Sequence, residues 1–422
     1  KMNLQQIFDN CCLFDKKNLN EIYYKAKISS IQSYSSILIK FKENSIHKRN
    51  AFHILKIGTD LGDPTSTFLY GMMLFNGEGI PVNKQEGIKY LKIAADKGFN
   101  QAISSYADIL LKGDGIEANK IEAAKYFKIG IQQDDIYSFY SYGVMLFNGD
   151  GIEKNEKEGT KYIKIAADRG NIQAISTYGQ MLFDGKGVEK NKKEAAKYLK
   201  KAADNNNVDS MSLYGQMLFI GDGIESNKKE AAKYYKMAAD KNDVNSLYNY
   251  GMMLLNGVGI QSNEKEAIFY LKKAADQNHV QASYLYGTLL FEGRGVLKND
   301  ELANKYLKFA AYNDVKEAML KYGILEYQKH NEKEAITFLK KAVELDVVDA
   351  YFFYGHIMIS SNLNEGIKYI KIGAEKGNVF AMLDYSYLLS EGIGFKKNKN
   401  ESAKYLKKAI SIGDYDDIFQ MA

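Results

Sequence analysis

The chain has 422 residues, 45% of them apolar, with 57 Lys+Arg against 52 Asp+Glu for a formal net charge of +5. So small an excess, spread along the chain, argues against a nucleic-acid or membrane binder, which would show a concentrated basic face. A single compact core rarely organises this many residues, so the chain is searched first for internal repetition.

Residues 1–28 stand outside any repeat, and LNEIYYKAK at 19–27 has helical character suited to capping the end of an array. Cys11 and Cys12 are the only cysteines; an adjacent pair makes no disulfide framework, which favours a reducing, cytoplasmic setting. No apolar run approaches the ~18 residues that span a bilayer, and residues 1–30 show no signal-peptide core. Residue 1 is Lys, which is expected of a fragment or a processed chain. Tyr34, Ile54, Asp60 and Gly62 precede Tyr70, Tyr90, Asp96 and Gly98 by 36 residues, so 29–64 is expected to be a degenerate first repeat without its glycine loop.

Residues 65–316 read as seven full repeats of 36 residues. Tyr70, Tyr106, Tyr142, Tyr178, Tyr214, Tyr250 and Tyr286 form one column; Tyr90, Tyr126, Tyr162, Tyr198, Tyr234, Tyr270 and Tyr306 form a second, 20 residues behind. Within a repeat the apolar period is helical. Ala174, Tyr178, Met181 and Leu182 are spaced i, i+4, i+7, i+8 on one face. Gly follows the anchor Tyr inside this helix at a cost of about 1 kcal/mol relative to Ala. Ala107 in the same column indicates a demand for smallness, where another helix crosses closely. The helix ends at Gly-x-Gly, such as Gly149/Gly151, whose first glycine suits a left-handed C-cap. An aliphatic residue such as Ile152 then tucks under the turn. Asn191 is the expected N-cap of the second helix, NKKEAAKYLKKAAD, with Ala195, Tyr198, Leu199, Ala202 and Ala203 inside and Glu194/Lys197 outside; Glu122/Lys125, Glu158/Lys161 and Glu230/Lys233 repeat that outer pair.

Residues 317–379 hold two shortened repeats that lack the glycine loop, with EYQKHNEKEA (326–335) and SSNLNEGIKY (360–369) joining their helices directly, as in a tetratricopeptide geometry. Residues 380–422 contain a final repeat, with Gly392, Gly394 and Tyr405, and the C-terminal end.

The order small residue, aromatic-Gly, Gly-x-Gly-aliphatic, Ala-x-x-Tyr and Lys-x-Ala-Ala-Asp resembles the Sel1-like repeat family, a relative of the tetratricopeptide repeat. YGVMLFNGDGI (142–152) and EAAKYLKKAAD (194–204) carry the resemblance, which extends over about residues 29–411. Tyr stands where the family often has Leu before Gly, and Leu110, Leu146 and Leu182 where it often has Tyr, as volume exchanges within a shared core. The resemblance implies an all-α, right-handed superhelical solenoid of antiparallel helix pairs, with a scaffold or adaptor role in settings such as signalling and protein quality control. The family's secreted branch carries a cysteine pair in each repeat; these are absent here.

No chemistry-bearing constellation competes with this reading. The glycines follow a helix and recur, unlike a dinucleotide fingerprint after a strand. GDGIE (149–153) lacks a calcium loop. His47, His53, His279, His330 and His356 share no metal spacing, and no nucleophile motif is present. Met73, Met145, Met181, Met217 and Met253 read as core. The chain is therefore expected to be non-enzymatic, with no cofactor, metal or small-molecule substrate. It is expected to hold a protein or peptide segment on the concave face of the solenoid. Candidate contacts are residues two before and two after the anchor Tyr, where columns vary: Phe68, Tyr140, Val144, Gln180, Gln216, Tyr248, Met252 and Tyr284. Packing between adjacent first helices is the competing role for the aromatic members. Two rival readings are the regulatory arm of a larger signalling enzyme, such as a kinase, and an adaptor in the endoplasmic reticulum; each needs a further segment outside residues 1–422.

Overall fold

A computed structural model describes residues 45–412. The expected N-terminal cap at 1–28, Cys11 and Cys12, the first part of the degenerate repeat at 29–44, and residues 413–422 lie outside the described residues. Among the described residues all regular secondary structure is α-helical, in twenty-one helices. These fall into two compact units, one ending at Ser210 and one beginning at Met211.

The first unit opens with α1 (Ser45–Asp60). Four antiparallel pairs follow: α2 (Pro64–Asn76) with α3 (Lys84–Asp96), α4 (Asn100–Lys112) with α5 (Lys120–Gln132), α6 (Ile136–Asn148) with α7 (Glu156–Asp168), and α8 (Ile172–Asp184) with α9 (Lys192–Asp204). The second unit takes in most of α10 (Val208–Ile220), paired with α11 (Lys228–Asp240). It continues with α12 (Val244–Asn256) and α13 (Glu264–Asp276), α14 (Val280–Glu292) and α15 (Asp300–Tyr312), α16 (Lys316–Gln328) and α17 (Glu332–Glu344), α18 (Val348–Ser361) and α19 (Leu363–Glu375), and α20 (Val379–Glu391) and α21 (Lys399–Ile412).

Local chemistry sets both ends of these short helices. The side-chain oxygen of Asn83, Asn119, Asn155, Asn191, Asn227, Asn263 and Asn299 accepts a hydrogen bond from the backbone N–H three residues on. In five of these caps the same amide donates onward to the glutamate at that third position, Glu122, Glu158, Glu194, Glu230 or Glu266. The outer glutamates are therefore part of the cap, which the spacing to lysine did not reveal. Gly149 closes α6 in the left-handed region at φ 73°, its N–H returning to the Met145 carbonyl, and the equivalent glycines do the same in their repeats. A second left-handed position, unread in the sequence, closes the second helices: Asp134, Asn206, Asn242, Asn278, Asp314 and Asp346, or Gly98, Gly170 and Gly377. Asn and Asp tolerate that backbone better than other side chains. Pro64 occupies the first turn of α2, where no N–H is needed.

The two tyrosine columns meet. Tyr70–Tyr90, Tyr106–Tyr126, Tyr142–Tyr162 and Tyr178–Tyr198 lie edge to face with ring centroids 4.9–5.5 Å apart in the first unit. The same geometry recurs at Tyr214–Tyr234, Tyr250–Tyr270, Tyr286–Tyr306, Tyr354–Tyr369 and Tyr385–Tyr405, and as Tyr322–Phe338. Each such pair contributes about 0.5–1.5 kcal/mol beyond its buried area.

The glycine after the anchor Tyr sits against the second helix of its own repeat. A Cβ at Gly143 would lie 2.9 Å from the Gly159 carbonyl oxygen, and one at Gly179 3.0 Å from Leu199 Cγ. Space, not backbone conformation, selects it. The methionine column is core: Met73, Met145, Met181, Met217 and Met253 are all buried.

Consecutive repeats are tied by the aspartate that ends the second helix. Tyr126 donates to Asp96 at 2.6 Å and Tyr198 to Asp168 at 2.9 Å in the first unit. Tyr270 donates to Asp240 and Tyr306 to Asp276 in the second. Lys92, Lys164, Lys236 and Lys272, one turn earlier, pair with the same carboxylates. Burial opposes ionisation of Asp168, Asp240 and Asp276, but the lysine and tyrosine hydrogen bonds outweigh it and lower all three pKa values. Burial, and then Asp168, push the Tyr198 phenol up to about 12.

Candidate protein-interaction surface

Charge is sorted by helix. The first helices of the seven full repeats (α2, α4, α6, α8, α10, α12 and α14) carry only Asp108, Lys112, Asp184, Asp209 and Glu292. A single second helix, α9, carries seven charged residues in thirteen. The second-helix side has shallow open grooves of about 450–500 Å³, lined by alternating lysine, glutamate, asparagine and tyrosine. Each lining holds one more lysine than carboxylates.

In the first unit, Gln180 is exposed, and Tyr140 and Val144 are half-buried. The Tyr140 hydroxyl meets Thr177 Oγ1 of the next first helix at 3.2 Å. Phe68 is buried, 9% exposed, and packs on Phe99 with ring centroids 5.3 Å apart. Phe68 is thus a core residue of the seam between repeats and offers no surface to a partner. In the second unit, Gln216 is exposed while Tyr248, Met252 and Tyr284 are half-buried. Tyr248 stacks on His279 at 4.6 Å, with the rings 22° from parallel. His279 caps α14 through Nδ1, which accepts from the Ala282 N–H at 3.1 Å. Burial lowers its pKa. The column two before the anchor therefore does pack between neighbouring first helices. In the column two after it, Gln180 and Gln216 are exposed, while Met72, Asp108, Val144, Met252 and Thr288 are half-buried.

One part of this surface is concave at side-chain scale. Phe219 of α10, Tyr235 of α11, and Tyr248, Asn249, Met252, Met253, Asn256 and Val258 of α12 and its loop enclose a mainly apolar crevice of about 220 Å³. It contains two of the sequence-predicted residues, Tyr248 and Met252. It also contains two that the column reading passed over, Tyr235 and Val258. Among the described residues no group of three or more His, Cys, Asp or Glu side chains could hold a metal ion, and no helix is long and apolar enough to cross a membrane.

The Sel1 repeat pattern matches ten successive segments: 64–99, 101–135, 140–171, 173–207, 208–243, 244–279, 280–315, 317–347, 350–378 and 379–414. The chain belongs to the Sel1 repeat family. Its fold is similar to that of c5321, a protective antigen present in uropathogenic Escherichia coli strains that displays an SLR fold. That likeness has a TM-score of 0.72 at 19% identity, over 96% of this chain and 92% of that one. A Sel1 repeat protein from Oxalobacter formigenes is also similar, with a TM-score of 0.50 at 23% identity over 58% of this chain and 96% of its own. No curated protein matches the chain. At these identities the Sel1 neighbours bear on fold alone. The shared fold is one that generally mediates protein–protein interaction.

Proposed function

We propose that this Sel1 repeat protein is a non-enzymatic scaffold that holds a segment of a partner protein along the outward side of its first helices. One observation carries the reading: the first helices of the seven full repeats hold only five charged residues, leaving surfaces of half-buried tyrosine, methionine and valine beside neutral glutamine. Depletion of charge with aromatic and methionine enrichment marks the centre of protein interfaces. A nucleic-acid partner would need lysine and arginine there instead. The contact residues are Tyr140, Val144 and Gln180 in the first unit and Gln216, Tyr248, Met252 and Tyr284 in the second. The sparse, adjacent cysteines support a cytoplasmic setting.

The test is affinity purification from native cells with wild type and with Tyr140, Tyr248 and Tyr284 changed together to Ala, thermal melts establishing that the variant is folded. Loss of the wild-type partners is expected. Identical partner recovery sinks the assignment of this surface.

A further inference from the structure

A repeat chain supplies its own reference, because each position can be compared with its equivalents in the other repeats. After the second-column tyrosine the chain places Leu91, Phe127, Ile163, Leu199, Leu271, Leu307, Leu339, Ile370 and Leu406; only Tyr235 carries a polar atom. At the middle of the Gly-x-Gly loop six of eight repeats place a charge: Glu78, Asp114, Asp150, Lys186, Asp222 and Arg294. Val258 is one of two apolar exceptions. These two departures are far apart in sequence, yet both line the crevice of about 220 Å³ beside Tyr248 and Met252.

Tyr235 is 3% exposed, its ring lying over Gly215. Tyr235 lines the crevice, and no hydrogen bond within the chain holds its hydroxyl. Burial, with Asp243 nearby, pushes its pKa up, so it stays a neutral donor. At about 220 Å³ the crevice is smaller than the ~300 Å³ at which small-molecule sites begin; it has room for one side chain. Asp243 acts on Tyr235, and Lys228 lies over the Phe219 ring at 5.9 Å. Neither lines the cavity, so neither charge sign is favoured inside.

We infer that this crevice is a specificity subsite for one uncharged side chain of a bound peptide segment, with an apolar stem and a hydrogen-bond acceptor at its tip, glutamine being the simplest case. The stem packs against Phe219, Tyr248, Met252 and Val258, and the Tyr235 hydroxyl donates to the tip. Asn249 and Asn256 at the rim are placed to pair with the peptide backbone. The inference rests on the protein-binding reading of the first-helix surface and adds what that surface selects.

The test selects a random dodecapeptide phage library on the full chain and measures the selected peptides against wild type, Y235F and V258D. Both variants keep the repeat intact: Phe retains the ring, and Asp restores the loop residue of other repeats. The selected peptides are expected to share one uncharged, acceptor-tipped residue. Y235F should weaken them about five- to tenfold, the size of one neutral hydrogen bond, and V258D by about tenfold or more. Replacing the shared residue by Ala should erase the difference between wild type and Y235F. Equal binding to all three proteins, selection of charged tips, or no selection overturns the subsite. So does self-association that V258D abolishes, which makes a second copy the occupant. Peptides that bind Y235F and V258D like wild type, yet fail on the triple Tyr→Ala variant, overturn the subsite and leave the surface reading standing.

Discussion

Replacing Gly159 by Ala isolates what sets the distance between the two helices of a repeat. On propensity alone, alanine inside α7 should stabilise by about 1 kcal/mol. The structure predicts the opposite sign. A Cβ at Gly159 would lie 2.6 Å from the Gly143 carbonyl oxygen, 2.6 Å from Phe147 N and 3.0 Å from Phe147 Cα. All three are backbone atoms of α6, so no rotamer change relieves them and the helices must separate. Overpacking of this kind costs about 1–3 kcal/mol, which leaves a net loss of about 1 kcal/mol after the propensity gain. At the equivalent position of α9 the chain has Ala195, and the helices there are already spaced for a methyl group. Ala195→Gly should therefore also destabilise, by about 2 kcal/mol from lost propensity and a lost buried methyl. Denaturant melts with hydrogen exchange of the α6, α7, α8 and α9 amides measure both changes. Increased protection of α6 and α7 in Gly159→Ala would refute the reasoning.

Gly149→Val should cost about 1–3 kcal/mol, because a β-branched residue is strained at φ 73° and its Cβ meets that of Lys154 at 2.9 Å. The loss should stay local to the repeats around α6, and uniform exchange across all repeats would contradict neighbour-only coupling. The depressed pKa values of Asp168, Asp240 and Asp276 mean that their ties stabilise above the ordinary carboxylate value of about 3.9 and lose that contribution as pH falls through the lower folded values. D168N/D240N/D276N should thus be less stable than wild type at neutral pH, with the two curves converging below about pH 4; parallel curves across that range would contradict the role. His279 should titrate below the usual histidine value of about 6.5 by NMR. Its stabilising contribution is complete above that pH and declines as pH falls toward the folded value, because protonation removes the Nδ1 acceptor that caps α14. An unchanged Ala282 amide resonance through that titration would refute the coupling.

The period of 36 residues and the helix-and-glycine grammar were legible because each column repeats one physical demand many times. The Tyr70 and Tyr90 columns, the Asn191-type caps and the Gly149-type turns all fall where periodicity and capping rules put them. What the columns conceal is contact between them. That Tyr198 reaches Asp168 depends on how repeats stack, which the sequence spacing alone does not encode. The fate of Phe68 was hidden for the same reason, since its variable column reads as surface until Phe99 of the next repeat covers it. Tyr235 and Val258 were visible as letters throughout. Each looks like an ordinary substitution in its own column, and only their meeting beside Met252 gives them a shared role.

The central claim is that the first helices, and not the charged second helices, meet the partner. A photo-crosslinking residue placed singly at Gln180 or Gln216, and in parallel at Lys197 or Lys233, tests it directly in native cells. The account predicts crosslinked partner protein from Gln180 and Gln216 and none from the two lysine positions. Crosslinks from Lys197 and Lys233 alone would contradict it.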